Sequence, residues 1–253
     1  MRTTNRTGIV DGVDAMQFMD LSIYPIRYAE EVISRVPGRI LEVGCGLGRL
    51  VKYYRSCGRE IVGIERSEIA VERILSQSDI MDVRVEDAAA MSFNDSEFDI
   101  SLAFGVYHNF EFDLEKGLSE FARVLKLGGH FVISMRPHNL EMLLNEYYWL
   151  FKSSKTNRAK EFHKLLVKDS EFKDLLMSYG LCTHKIHRAR NMSILFRFSF
   201  FRDRQIENNL DKQGRSRGYR LNKTGNYLDG FLTKLFPAEF CNVLVFQGVK
   251  DFQ

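Results

Sequence analysis

The 253-residue chain has no run of about 18 or more apolar residues, so a transmembrane helix is not expected. Its opening, MRTTNRTGIVDGVD, holds no apolar core, which argues against a secretory signal. Cysteines are few: Cys45, Cys57, Cys182 and Cys241 form no C-x-x-C pair and show no metal-ligand spacing. Reduced thiols in a cytoplasmic protein are the expectation. No internal repeat or low-complexity tract is present, which sets repeat arrays aside. The formal net charge of +3 is too small to point to a polyanionic partner by itself. What remains is a soluble globular chain long enough for one domain with additions.

The strongest pattern runs from Arg39 to Ser67. Ile40-Leu41-Glu42-Val43 is a short apolar run suited to a buried strand, and glycine punctuation follows at once. Gly44, Gly46 and Gly48 occupy alternate positions, where the backbone turns sharply and a ligand approaches with no Cβ in the way. Arg49 to Ser56 reads as a helix opening on this loop, its free N–H groups favouring a negatively charged or electron-rich ligand group. A second strand-like run, Ile61 to Ile64, ends on Glu65. A carboxylate at the tip of a second parallel strand is well placed to accept hydrogen bonds from a ribose diol. The stretch predicts a nucleoside site. Taken alone, the loop also reads as a tight strand-to-helix turn, and Cys45 as a small loop filler.

Spacing distinguishes between nucleosides. In the dinucleotide fingerprint G-x-G-x-x-G the third glycine stands three residues after the second. Here it stands two after, and Glu42 precedes the first glycine by two. This E-x-G-x-G-x-G pattern resembles the first motif of the class I S-adenosylmethionine-dependent methyltransferases. The resemblance implies S-adenosyl-L-methionine as cofactor and S-adenosyl-L-homocysteine as product. It implies that Glu42 helps fix the methionine end through the loop, and that Gly44, Cys45, Gly46 and Gly48 lie against the cofactor. Glu65, with Arg66 beside it, would take the ribose hydroxyls. In this class an acid followed by a small residue after the third strand reads the adenine amino group. Asp87 with Ala88, after the strand Val83 to Val85, matches that pattern better than the neighbouring Glu86. Phe104 and Gly105, ending the fourth strand, would border the cofactor. The L-K-x-G-G run at Leu125 to Gly129 is typical of the same enzymes.

The rest of the chain follows in order. Residues 1–38 predict an N-terminal helical lid, interrupted near Pro25, with Tyr24 or Tyr28 touching the cofactor; a helix covering the sheet edge is the alternative. Ser67 to Ser76 predicts a helix with Ser67 as N-cap. Phe98 to Phe104 reads as the fourth strand, Leu114 to Val124 as a helix, Leu127-Gly128-Gly129 as a helix stop and turn, and His130 to Met135 as the fifth strand. Lys168 to Gly180 reads as a capped helix, Cys182 to His187 as a sixth strand and Cys241 to Val249 as a seventh, antiparallel one. Strands alternating with helices predict an α/β, doubly wound fold with a mostly parallel seven-stranded sheet. The resemblance implies the strand order 3-2-1-4-5-7-6. The methyltransferase domain, 39–253, would carry a helical segment, 139–165, and an insertion, 193–239, before the last strand.

The rim after the fourth strand, Gly105 to Phe110, is where an acceptor would face the cofactor. His108 is a candidate general base, because imidazole titrates near physiological pH. Tyr107 is a candidate for holding the acceptor, and His138 a second candidate base. The aromatic-rich stretch with Tyr147, Tyr148, Trp149 and Phe151 is either ordinary packing or the wall of an acceptor pocket. The insertion carries Arg197, Arg202, Arg204, Lys212, Arg215, Arg217, Arg220, Lys223 and Lys234 against fewer acids. This excess is a solvated face, or it meets a phosphate-bearing acceptor, a membrane surface or RNA.

Further absences narrow the class. No Asn/Asp-Pro-Pro-aromatic run and no Pro-Cys follows the fourth strand, which argues against amino methylation of DNA bases and against cytosine C5 methylation. The rim also lacks the aspartates of metal-dependent relatives, so no metal is expected. The expected function is methyl transfer to a small-molecule, sugar, or lipid- or carrier-linked acceptor. An RNA methyltransferase docking through the basic insertion and a non-catalytic cofactor-binding partner subunit are the alternatives.

Overall fold

The computed structural model describes residues 25–77, 81–153, 164–189, 193–203 and 221–251. Eight strands form the sheet: β1 (Ile40–Val43), β2 (Ile61–Glu65), β3 (Val83–Val85), β4 (Phe98–Ala103), β5 (Leu125–Pro137), β6 (Leu166–Val167), β7 (Leu181–Ala189) and β8 (Val243–Lys250). Their order is β3-β2-β1-β4-β5-β8-β7, with β6 paired to β5 off that path. β3, β2, β1, β4 and β5 run parallel, and β8 is antiparallel to both β5 and β7. The seven longer strands follow the expected order. The difference is β6, two residues long and below any period a sequence can display; it shifts the last two strand numbers by one.

Helices cover both faces. Along β1, Ile40 faces one core, and Leu41 and Val43 the other. The first core takes α1 (Ile26–Ile33), α2 (Arg49–Ser56) and α3 (Glu68–Leu75) through Ile26, Ala29, Leu50, Val51 and Ile74. The second takes α4 (Leu114–Val124) and α6 (Asp169–Ser178) through Leu118, Phe121, Phe172 and Leu176. Strands buried on both faces need near-continuous apolar runs, and the central strands have them. The remaining α-helices among the described residues are α5 (Leu140–Ser153) and α7 (Lys223–Leu235). No helix among the described residues is long and apolar enough to cross a membrane.

Local expectations meet three differences. β5 begins at Leu125, straight after α4, so the glycine pair lies inside the strand span; Gly128 takes φ +74° and the β4–β5 register shifts between Phe98 and Ile100. At Lys168, ahead of α6, no side chain caps the helix, whereas Ser67 does cap α3, its Oγ accepting the Ala70 N–H at 3.4 Å. The described part of the expected lid, 25–38, takes the alternative form, a helix packed on the sheet. α1 buries Ile26, Ala29 and Ile33 against the sheet, Tyr54 donates to Glu30 at 2.7 Å, and the Arg59 guanidinium holds the Ile33 and Val36 carbonyls at 2.6 Å. Residues 1–24, including Tyr24, lie outside the described residues.

Candidate active site

β1 delivers Val43 into a loop whose glycines take left-handed backbone angles: φ +67° at Gly44, +58° at Gly46. At Gly44 a Cβ would also strike Cγ2 of Val106, so the two rims of the cleft touch there. At Gly46 a Cβ would meet nothing, because that position faces open space. Register then places the end of β2 beside the loop, with Val43 paired to Ile64. Glu65, next along, accepts the Gly46 N–H through Oε2 at 3.0 Å and the Ser67 N–H through Oε1 at 3.1 Å. Each oxygen keeps a second acceptor site for a ligand hydroxyl.

Glu42 is buried beneath the loop, and its Oε2 has no hydrogen-bond partner among the described residues. Burial pushes its carboxyl up to about 8, against the lowering effects of a Val51 backbone hydrogen bond and of Arg49. An orphaned buried carboxylate oxygen beside a glycine loop suits a ligand ammonium, which would satisfy the oxygen and restore the charge.

A cleft of about 460 Å³ extends from the loop along the strand ends. Gly44, Glu65 and Arg66 form one end, Asp87 and Ala88 the far wall, and Gly105, Val106, Asn109, Phe110 and Phe112 the opposite side. Asp87 uses Oδ1 to accept the Ala89 N–H at 2.9 Å, while Glu86 accepts from Ser92. The residues present therefore fit S-adenosylmethionine: an acid under the loop for its ammonium, an acid on β2 for its diol, and an acid beside an apolar wall for its base.

A second cavity, about 300 Å³, adjoins the cleft; Gly105 and Asn109 line both. Its other walls include Pro25, Phe104, His108, Ser134, Arg136 and Lys164. A third, about 210 Å³, shares Arg136 and Lys164 with the second and is walled by Trp149, Met142, Ile194 and Arg197. The Arg197 guanidinium lies 4.7 Å from the Trp149 ring centroid, so the aromatic stretch does form a pocket wall at Trp149. Tyr147 and Phe151, by contrast, are exposed.

Not every expected residue reaches a cavity. Tyr107 is fully buried in the core; its hydroxyl donates to the Gly117 carbonyl at 3.2 Å and it packs on Phe110 and Phe121. It cannot hold an acceptor, because the 3-10 turn 107–109 directs it inward. Tyr28 packs on His187, ring centroids 4.7 Å apart, away from the cofactor cleft. Cys45 points under the sheet toward Gly63, where burial pushes its thiol far up, so the loop-filler reading holds and a cofactor contact by its side chain does not. Gly48 sits against Ile74 as the N-cap of α2, and Phe104 lines the second cavity.

His108 does line a cavity, but burial and the nearby Lys164 and Arg136 push its pKa down to about 3. The ring is neutral and weakly basic, which runs against a general-base role. His138 is exposed and lines none of the three cavities. Of the basic insertion, Arg204, Lys212, Arg215, Arg217 and Arg220 lie outside the described residues. The sequence reading ended the rim at Phe110 and missed Phe112, which lines the cleft beside it. It also missed Arg136 and Lys164, which no local pattern marks.

Comparisons with known proteins agree with this geometry. Residues 41–133 match the family model described as a methyltransferase domain. The chain is 38% identical over 106 residues to a demethylmenaquinone methyltransferase of Bacteroides fragilis, covering 38% of this chain and 42% of that protein. It is 29% identical over 156 residues to a ubiquinone biosynthesis O-methyltransferase of Chelativorans, covering 57% of this chain and 59% of that protein. The chain thus spans about half the length of these curated relatives. An S-adenosylmethionine-dependent methyltransferase from Methanosarcina mazei superposes with a TM-score of 0.60 at 16% identity, over 91% of this chain and 99% of that one. Residues 41–133 match a methyltransferase domain, and the chain shares the fold of the S-adenosylmethionine-dependent methyltransferase on which it superposes.

Proposed function

We propose that the protein binds S-adenosylmethionine in the cleft and transfers its methyl group to a small-molecule or carrier-linked acceptor. The observation that carries this reading is the pairing of Glu65 with the Gly46 amide beside the orphaned Glu42 oxygen. Together these support an ammonium site beneath the loop and a diol site at the end of β2. When bound, the cofactor would supply an electrophilic methyl on its sulfonium, which an acceptor lone pair would take as the thioether S-adenosylhomocysteine leaves. Glu42 would hold the methionine ammonium, Glu65 the ribose hydroxyls, and Asp87 with Ala88 the adenine edge, while Arg66 lines the ribose end of the cleft. Gly105 and Asn109 line both the cleft and the second cavity, so an acceptor entering through the second cavity would approach the cofactor there. Catalysis then rests on positioning two reactants in one enclosed geometry. Relatives named for quinone-precursor methylation support a small acceptor.

Calorimetric titration of the purified protein with S-adenosylmethionine and, separately, with NAD tests this. Binding of the first alone is expected. Binding of NAD alone, or of neither with candidate acceptors present, would overturn the reading.

A further inference from the structure

The second cavity has a charge character of its own. Among the described residues lining it are two cations, Arg136 and Lys164, and no acid. Backbone pairing brings them together: Arg136 of β5 is in register with Leu166 of β6, and the Leu165 N–H donates to the His108 carbonyl at 2.8 Å. This places Lys164 Nζ 3.4 Å from His108 Nε2. An ammonium only donates, so Nε2 carries the lone pair and the neutral ring keeps its proton on Nδ1. That Nδ1 is buried and has no partner among the described residues. A guanidinium, an ammonium and a neutral imidazole ring therefore border one chamber, and the low basicity of His108 reflects first its burial and then the same two cations.

We infer that this chamber, lined by Arg136, Lys164 and His108, binds the anionic group, a carboxylate or a phosphate, of the methyl acceptor. The inference deepens the methyltransferase reading and rests on it for the word acceptor. An anion held there presents the neighbouring part of its molecule to Gly105 and Asn109, the border with the cofactor cleft. The remainder extends past Arg136 and Lys164 toward Trp149. Charge-assisted hydrogen bonds in a partly desolvated chamber orient a ligand and discriminate strongly against neutral analogues. Acids do line the third cavity, Glu141 and Glu146, so the anion is placed on the His108 side.

The test titrates benzoate, phenyl phosphate and neutral benzamide into the full chain. Binding is followed by calorimetry and by the fluorescence of Trp149, the chain's single tryptophan, with and without S-adenosylhomocysteine. At least one anion is expected to bind, with benzamide about tenfold weaker or more. Lys164→Gln and Arg136→Gln should each weaken the anion about tenfold, and Lys164→Arg should restore it, with S-adenosylhomocysteine affinity unchanged throughout. Preference for benzoate or for phenyl phosphate tells the two anionic groups apart, and either supports the inference. Equal binding of benzamide, unchanged anion affinity in Lys164→Gln, or no binding of any of the three overturns it. Failure of the methyltransferase reading looks different: the anion binds and responds to Lys164→Gln, while S-adenosylmethionine does not bind at all.

Discussion

Glu65 and Gly46 are joined by a hydrogen bond from the loop amide to Oε2, 3.0 Å long, that ties the end of β2 to the turn after β1. The same carboxylate takes the Ser67 amide at the start of α3. One side chain therefore organises two backbone segments and still offers lone pairs to the cleft. Its loss should act on binding more than on folding, because it is half-buried and α3 keeps its own Ser67 cap.

Glu65→Ala is accordingly expected to weaken S-adenosylmethionine about tenfold or more, while the far-ultraviolet spectrum stays native. Glu65→Gln, which keeps one acceptor oxygen, should fall between. Near wild-type affinity in the alanine variant, measured by calorimetry, would remove the ribose assignment.

The two loop glycines should separate stability from binding. Gly44→Ala combines a left-handed backbone with a collision against Val106. It is expected to lower unfolding free energy by about 1–3 kcal/mol. Gly46→Ala has only the backbone penalty, about 1 kcal/mol, but its methyl would stand in the open space beside the loop, where the cofactor is proposed to lie. Denaturant melts beside cofactor titrations should rank Gly44→Ala worse for stability, and show a binding loss at Gly46→Ala out of proportion to its small stability change.

Glu42 predicts a pH signature. Its carboxyl is raised in the folded state to about 8, so between the unfolded value, about 4.3, and about 8 the folded protein holds the extra proton. The sign follows: this group's contribution is full below about 4.3 and is lost as pH rises toward about 8. Glu42→Gln should flatten that decline in thermal melts of the free protein. A cofactor ammonium would ionise Glu42, so binding near neutral pH should release a proton. Calorimetry in buffers of different ionisation enthalpy should detect the release in wild type and not in Glu42→Gln.

Tyr107 provides a control. Tyr107→Phe removes only the bond to the Gly117 carbonyl and should cost about 1 kcal/mol of stability with turnover unchanged. Tyr107→Ala should cost about 3–5 kcal/mol, as loss of a buried aromatic does. A large fall in kcat for the phenylalanine variant at native stability would return Tyr107 to the site.

The residues around Glu42, Gly44, Glu65, Asp87 and Gly105 were legible in the sequence because each sits at the end of a strand whose apolar run and following turn are local signals. Alternation of those strands with helices was enough to state the sheet, since parallel strands need crossovers and crossovers have one hand. Tertiary structure decided the direction of each side chain and the meetings of distant segments. Tyr107 and His108 are neighbours in a 3-10 turn, yet one enters the core and the other a cavity, a choice made by packing against Phe110, Phe121 and Gly117. Arg136 and Lys164 meet only because a two-residue strand, β6, pairs with the end of β5. Periodicity reports which way a strand faces; a contact between chain segments far apart in sequence is set by packing and register, which no local pattern encodes.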